Sequence, residues 1–407
     1  MPNIFYFDFP FEGMQHGIGT YFKHLLPQVH KYNPVTLVKV TFGENGNVAR
    51  YEKSNYNVIE VVLPSYFSEV FGKQGVTFCV ARKIMSILSL NVDIHDQDIF
   101  HINSVLEIYL AKVLSEYTNK IVYTQHVSLW RIHYSNDEKR FLEDWNRSNK
   151  PKGDKNLTPI LADKEICEIA DQVICLTNDN IKTNTTYYNI PLSKLNHVKN
   201  GYFLEEVGKQ SKSDLKMSFG FNKKEFIFLF VGRLIKQKGC DLLIKAFQVL
   251  NKKHPNTRLL IVGRGDYSFY LEQTSGLCGK VSFTGFLSSE QVNNIYQFTD
   301  VGVCPSENEQ SSYTMLEMIA NNIPLITSNI EAFAGTLEHE NTALIMFNTT
   351  DVDSKIANLV TLMERMIVEK ETRANIRKNA KRLFQKNFTA EIMAKNTYEI
   401  YNKITAR

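Results

Sequence analysis

PSENEQSSYTMLEMIANNIP, residues 305–324, lies between two apolar runs, VGVC before it and LITS after it. Each run is short and apolar, as expected of a strand buried on both faces, whereas TMLEMIA has the apolar spacing of a helix with Ser311 or Ser312 as its N-cap. A strand, a loop, a helix and another strand make one turn of a parallel α/β fold. The loop at the carboxyl end of the first strand then carries Glu309, and Glu317 follows on the helix. A helix N-terminus offers unpaired N–H groups and a partial positive charge, which suits a phosphate, and carboxylates beside it accept hydrogen bonds from hydroxyls.

The same grammar extends in both directions. Upstream, EFIFLFVG ends at Gly232 and is followed by Arg233, then Lys238-Gly239, then the helical CDLLIKAFQVLNKKH. A strand-end Arg and a loop Lys at the mouth of a helix can neutralise more than one oxygen of a diphosphate without a metal. RLLIVG, KVSFTG, IPLITS and ALIMF continue the strand series. An earlier series comprises NIFYFDF, VTLVKVTF, NVIEVVLP, DIFHIN, KIVYTQH and QVICLT, with helical stretches such as VTFCVARKIMSILS, VLEIYLAKVLSEY and ILADKEICEIA between them. The turn Asn200-Gly201 and the polar stretch 205–225 hold the junction. At 407 residues the chain exceeds one ordinary core, so the expected fold is α/β, with two doubly wound Rossmann-like domains facing a cleft. Residues 1–210 form the first domain and 211–387 the second. The last segment, FTAEIMAKNTYEIYNKITAR, is amphipathic.

Composition narrows the function classes. A net charge of +4 with basic residues spread along the chain does not favour nucleic acid as a partner. The six cysteines show neither a C-x-x-C pair nor metal-ligand spacing and read as core hydrophobes in a reducing compartment. MPNIFYFDFP is a first strand, not a signal peptide, and no apolar run approaches the ~18 residues of a membrane span. A cytoplasmic protein is expected, with peripheral membrane contact left open. The charged run RMIVEKETRANIRKNAKRLF reads as a solvated helix face. Asp96-Gln97-Asp98 spells D-x-D but precedes its strand, opposite the ligand-binding ends, so it reads as a polar turn and no metal is expected.

Glu309, seven residues and Glu317, followed by an apolar helix and NNIPLITS, together resemble the signature of glycosyltransferase family 4, retaining enzymes of the GT-B fold. GRLIKQKG at 232–239 resembles that family's donor-phosphate motif at each fixed position. The resemblance implies a nucleotide-sugar donor, a UDP-sugar in first place, and a terminal helix, residues 388–407, that returns to the acceptor-binding first domain. It places Arg233 and Lys238 on the leaving diphosphate, Glu309 on the sugar and Glu317 on the ribose, with Gly232, Ser311, Ser312 and Tyr313 lining the donor. The base is held near Phe286 and Leu287. Gly17 and Gly19, in a glycine-rich loop, approach the donor phosphates, and His126 faces the transferred sugar. His16, His101 and Asn103 fall on the acceptor side.

The chain departs from most members after the first glutamate, where Gln310, Ser311, Ser312 and Tyr313 replace a Gly and a Phe-Gly. This E-Q-S-S-Y variant is similar to a bacterial branch associated with peptide or protein modification, so a glycan and a polypeptide both stand as acceptors. Two other readings share the fold: a sugar-nucleotide epimerase, and a non-catalytic partner of an active transferase.

Overall fold

Two sheets organise the molecule. The structure, a computed structural model, describes all residues except 11–14, 45, 68–75, 119, 148–153, 206–210, 308, 310–311, 331–332, 334 and 407, and gives Gln15 and His16 as helix backbone. The chain divides into one unit of Met1–Gly201 with Ala390–Arg407 and another of Tyr202–Thr389.

The first unit has the strands β1 (Ile4–Asp8), β2 (Val35–Gly43), β3 (Asn47–Lys53), β4 (Tyr56–Pro64), β5 (Ile99–Ile102), β6 (Ile121–Gln125), β7 (Gln172–Cys175) and β8 (Leu195–His197). They lie in the order β3-β4-β2-β1-β5-β6-β7-β8, parallel except for the antiparallel β3–β4 hairpin. Strand order reverses between β1 and β5, so the carboxyl ends of these two strands flank a ligand-binding switch point. IFYF of β1 and IFHI of β5 are wholly buried, as parallel strands covered on both faces must be. β3, NVARYEK, is an exposed polar edge that pairs on one side only, with Ser54 and Asn55 at φ of 49° and 70° in its turn.

The terminal helix Ala390–Thr405 packs on the first unit against the helix Gln15–Val29. Its buried face includes Met393, Ile400 and Tyr401. The Tyr401 hydroxyl bonds the Tyr6 hydroxyl and lies 2.6 Å from His101 Nδ1. His101 Nε2 lies 2.7 Å from Thr124 Oγ1, so one line of polar contacts ties the last helix to β1, β5 and β6. Tyr401→Phe leaves a buried ring nitrogen without its partner. The expected loss is about 1–3 kcal/mol of stability, read by urea unfolding.

The second unit has β9 (Phe226–Val231), β10 (Thr257–Val262), β11 (Val281–Gly285), β12 (Val301–Cys304), β13 (Leu325–Thr327) and β14 (Leu344–Ile345), all parallel, in the order β11-β10-β9-β12-β13-β14. Here the order reverses between β9 and β12. The helix Cys240–Lys253 buries Leu243, Ile244, Phe247 and Leu250 on its sheet side. Gly302 sits where a Cβ would come within 2.4 Å of Met318 Sδ, which lets the helix Tyr313–Ala320 lie close on β12. Of the cysteines expected in cores, Cys167, Cys175, Cys240 and Cys304 are buried, whereas Cys79 and Cys278 are exposed.

Candidate functional site

β9 and β12, the strands at which the second sheet reverses, deliver Gly232 and Glu309 from their carboxyl ends. Between them lies the turn Lys236–Lys238, closed by Gly239 at φ 68°. A Cβ on Gly239 would stand 2.3 Å from the Pro305 carbonyl oxygen, so glycine lets this turn seat directly on the loop after β12. Glu307 N donates to the Gln237 carbonyl at 2.8 Å, which fastens the two loops. Lys238 thereby forms an ion pair with Glu309 Oε1, which also accepts from Ser306 Oγ at 3.3 Å. Both charged side chains are more than four-fifths buried. Arg233, one residue beyond Gly232, is exposed and makes no side-chain hydrogen bond or ion pair among the described residues.

The loops after β10 and β11 join this cluster through the backbone. Gly232 N donates to Val262 O at 2.9 Å, and Gly263 N to Gly285 O at 3.0 Å. Gly263 has φ of 149°, and a Cβ there would fall 1.7 Å from Gly232 O. Arg264 lies over the exposed Phe286 ring, 4.0 Å from its centroid, and Leu287 is half-buried beside it in sequence. The VGRG stretch is thus the point at which the loops of three strands meet.

Ser312 caps the helix Tyr313–Ala320, its Oγ accepting from Met315 N at 3.3 Å. Tyr313 is the first residue of that helix, and Glu317 lies one turn further on. Glu317 Oε2 accepts from the Tyr296 hydroxyl at 2.7 Å. Tyr296 is fully buried and its hydroxyl is held well above the usual phenol range, by burial first and then by the Glu317 charge. Ser311 lies outside the described residues, as does the side chain of His16.

In the first unit the glycine-rich stretch differs from expectation. Gly17 and Gly19 belong to the opening turns of the helix Gln15–Val29, not to a loop, and neither has a positive φ. Apart from the helix's own backbone, no atom of the described residues lies within 4 Å of a Cβ built on either, so their lack of a side chain leaves an open helix surface for close approach. His101 does not line a binding surface either. It is fully buried and both its ring nitrogens are taken by Tyr401 and Thr124, so it acts in the core.

Asn103 is also buried and its amide is committed. Nδ2 donates to the His101 carbonyl at 3.2 Å, which turns Oδ1 toward His126 Nε2 at 3.3 Å. The amide orientation therefore assigns the His126 proton to Nε2 and leaves Nδ1 as an acceptor. Burial pushes the His126 pKa down to about 4, so the ring is neutral at pH 7. Tyr21 fixes the ring edge-on at a centroid distance of 4.8 Å. Asn103 thus supports His126 and does not itself face an acceptor.

Sequence reading missed Tyr296, Tyr21 and Ser306, which hold Glu317, His126 and Glu309. Each is a common residue in an element that only the topology brings to the site. At the other end of β5, Asp98 spends its carboxylate on Asn3 N and His95 N, at 2.8 and 2.9 Å, which is the polar turn expected of the D-x-D stretch. Among the described residues no three His, Cys, Asp or Glu side chains gather as metal ligands.

Comparison with known proteins gives this geometry a context. Residues 211–383 match the family described as glycosyl transferases group 1. An uncharacterized glycosyltransferase of Methanocaldococcus jannaschii is 28% identical over 237 residues, 56% of this chain and 59% of that relative. The chain thus spans little more than half the length of this curated relative. Among solved structures, the sucrose-phosphate synthase of Thermosynechococcus elongatus superposes with a TM-score of 0.75 at 18% identity, covering 100% of both chains. Anabaena HepE, solved in complex with UDP and glucose, gives 0.74 at 16% identity, covering 99% of this chain and 100% of that one. The second unit is therefore matched along most of its length by the group 1 glycosyl transferases, and the chain as a whole has the GT-B fold.

Proposed function

We propose that this protein is a retaining, metal-independent glycosyltransferase of family 4 that moves a sugar from a nucleotide-sugar donor to an acceptor hydroxyl. The observation that carries the reading is the Lys238–Glu309 ion pair at the switch point of the second sheet, with Arg233 on the same loop as Lys238, within the stretch matched by group 1 glycosyl transferases. Two cations there can neutralise a leaving diphosphate, and one of them, Arg233, is exposed and has no acidic partner among the described residues. A UDP-sugar is the favoured donor, because a protein of the same fold has been solved with UDP and glucose. The second unit holds the donor and the first the acceptor, which is a glycan or a polypeptide hydroxyl. The protein works in the cytoplasm, and no helix among its described residues is long and apolar enough to cross a membrane.

In the proposed step the bond from the sugar's anomeric carbon to the diphosphate oxygen breaks while the acceptor oxygen bonds to the same carbon on the same face. The departing diphosphate takes the acceptor's proton, so the products are a nucleoside diphosphate and the glycoside. Arg233 and Lys238 stabilise the charge that develops on the diphosphate. Glu309 orients the sugar hydroxyls, Glu317, held by Tyr296, receives the ribose, and His126 offers Nδ1 to a sugar hydroxyl. Retention and metal independence rest on the resemblance to family 4.

Nucleoside diphosphate release from a panel of UDP-, GDP- and ADP-sugars, measured without acceptor, tests the reading. Slow release from one donor, lost in Arg233→Ala, is the expected result. No release from any donor, with no nucleotide raising the Tm, would overturn it.

A further inference from the structure

At the amino-terminal edge of the second sheet two lysines share one carboxylate. Lys212 reaches Asp300 Oδ1 at 2.7 Å and Lys216 reaches Oδ2 at 2.9 Å. Oδ2 also accepts the Ile227 amide at 2.9 Å, so both oxygens of Asp300 are taken. The helix Lys370–Asn387 adds Arg373 and Arg377, one turn apart on one face. Arg373 lies over the Phe226 ring, 5.2 Å from its centroid, and donates to the carbonyl oxygens of Met366 and Ile367.

Arg377 is different. It has no ion pair or hydrogen bond among the described residues, and its Nε is buried without an acceptor. Burial first of all lowers the pKa of Lys212 and of Arg373; the Asp300 charge opposes that shift in both, and the charge of Arg377 adds to it. A guanidinium placed among like charges, with a buried donor unmatched, costs folding energy unless an anion offsets it. Asp300 does not supply that anion, because both its oxygens are taken by the two lysines and a backbone amide.

We propose that Lys212, Arg373 and Arg377 form a phosphate-binding site on the amino-terminal edge of the second unit. β9 and β12 run away from this edge toward Gly232 and Glu309, so the length of a strand, roughly 15 Å, separates it from the nucleotide-sugar site. Phosphate fits better than a single carboxylate because several cations converge and guanidinium groups match a tetrahedral oxyanion through paired N–H donors. The ligand is either a soluble phosphate compound or the phosphodiester headgroup of an acidic lipid. The second source is open because the same helix exposes Lys378, Lys381, Arg382 and Lys386 to solvent.

Thermal unfolding of the full chain in inorganic pyrophosphate, with excess UDP present and sodium chloride as the ionic-strength control, tests the site. At a hundred times its Kd, pyrophosphate should raise Tm by roughly 5 °C. Arg377→Gln should weaken its binding more than about tenfold, as expected for loss of a charge-assisted contact. The same substitution should raise the Tm of the ligand-free chain, because it removes an unmatched charge. A fall in that Tm would show that Arg377 is a structural residue and would overturn the proposal. A pyrophosphate effect that survives in Arg377→Gln but disappears in Lys238→Ala belongs to the donor site and also overturns it. Co-sedimentation with phosphatidylglycerol vesicles but not phosphatidylcholine vesicles, lost in Arg377→Gln, assigns the site to a lipid headgroup. Stabilisation by pyrophosphate without vesicle binding assigns it to a soluble phosphate compound. Neither response in the wild type ends the proposal.

Discussion

Alanine at Lys238 is expected to lower kcat for sugar transfer by about 10³-fold, a barrier increase of about 4 kcal/mol. The side chain is largely buried beside Glu309, so its charge acts in a medium where water screens it less than at an open surface. As the donor bond breaks, negative charge accumulates on the diphosphate, and a fixed cation there contributes more to the transition state than to the bound donor. The effect should therefore fall mainly on kcat and less on KM. Steady-state transfer assays on the wild type and Lys238→Ala provide the check. Glu309→Ala forms the contrast: it should abolish transfer while nucleotide binding stays largely intact, because it removes the group assigned to the sugar and leaves both cations. Equal losses of nucleotide affinity in the two variants would contradict this division of roles.

Gly263→Ala should destabilise the second unit by roughly 3–5 kcal/mol. Two costs combine. The φ of 149° is one that L side chains rarely adopt, and the new Cβ would collide with the Gly232 carbonyl oxygen. Relief requires the loops after β9 and β10 to separate, which breaks the Gly232 N to Val262 O bond and the Leu234 N to Arg264 O bond. Because Arg233 is carried on the displaced loop, nucleotide affinity should fall together with stability. Urea unfolding followed by nucleotide titration at low denaturant reads both. An alanine variant of wild-type stability would show that the loops part without cost.

The parallel strands were legible because a strand buried on both faces leaves an apolar run, and FIFLFV or IVYTQ can hardly be anything else. β3 escaped because an exposed edge strand, NVARYEK, carries no apolar signature. The helix Asn178–Thr186 escaped for a related reason. It buries Asn180 and Asn184 by donating both amides to Gln125 Oε1, at 3.1 and 2.7 Å, so its inward face is polar and amphipathic spacing cannot show it. That Arg233, Lys238 and Glu309 sit in loops at the ends of β9 and β12 was readable because position at a strand end is local in sequence. His101 and Asn103 were misjudged because position on a strand gives the end of the sheet but not which groups a buried side chain will meet. Gly17 and Gly19 were taken for a loop since two glycines so close together weaken any helix pattern. The continuation of that helix through them comes from its packing further along, at Tyr21, Phe22, Leu25 and Leu26.

The hydrogen bond between Tyr6 and Tyr401 spans 395 positions of sequence, and the second unit is inserted entirely within the interval. The first unit is therefore discontinuous in sequence, and the helix that covers Tyr6 and His101 must return to it across the whole of residues 202–389. Closing that core is a contact of very long sequence separation, which topology makes slow relative to the local contacts within either sheet. A chain cut just before residue 390 would keep every residue of the second unit and lose from the first the helix that partners Tyr6 and His101.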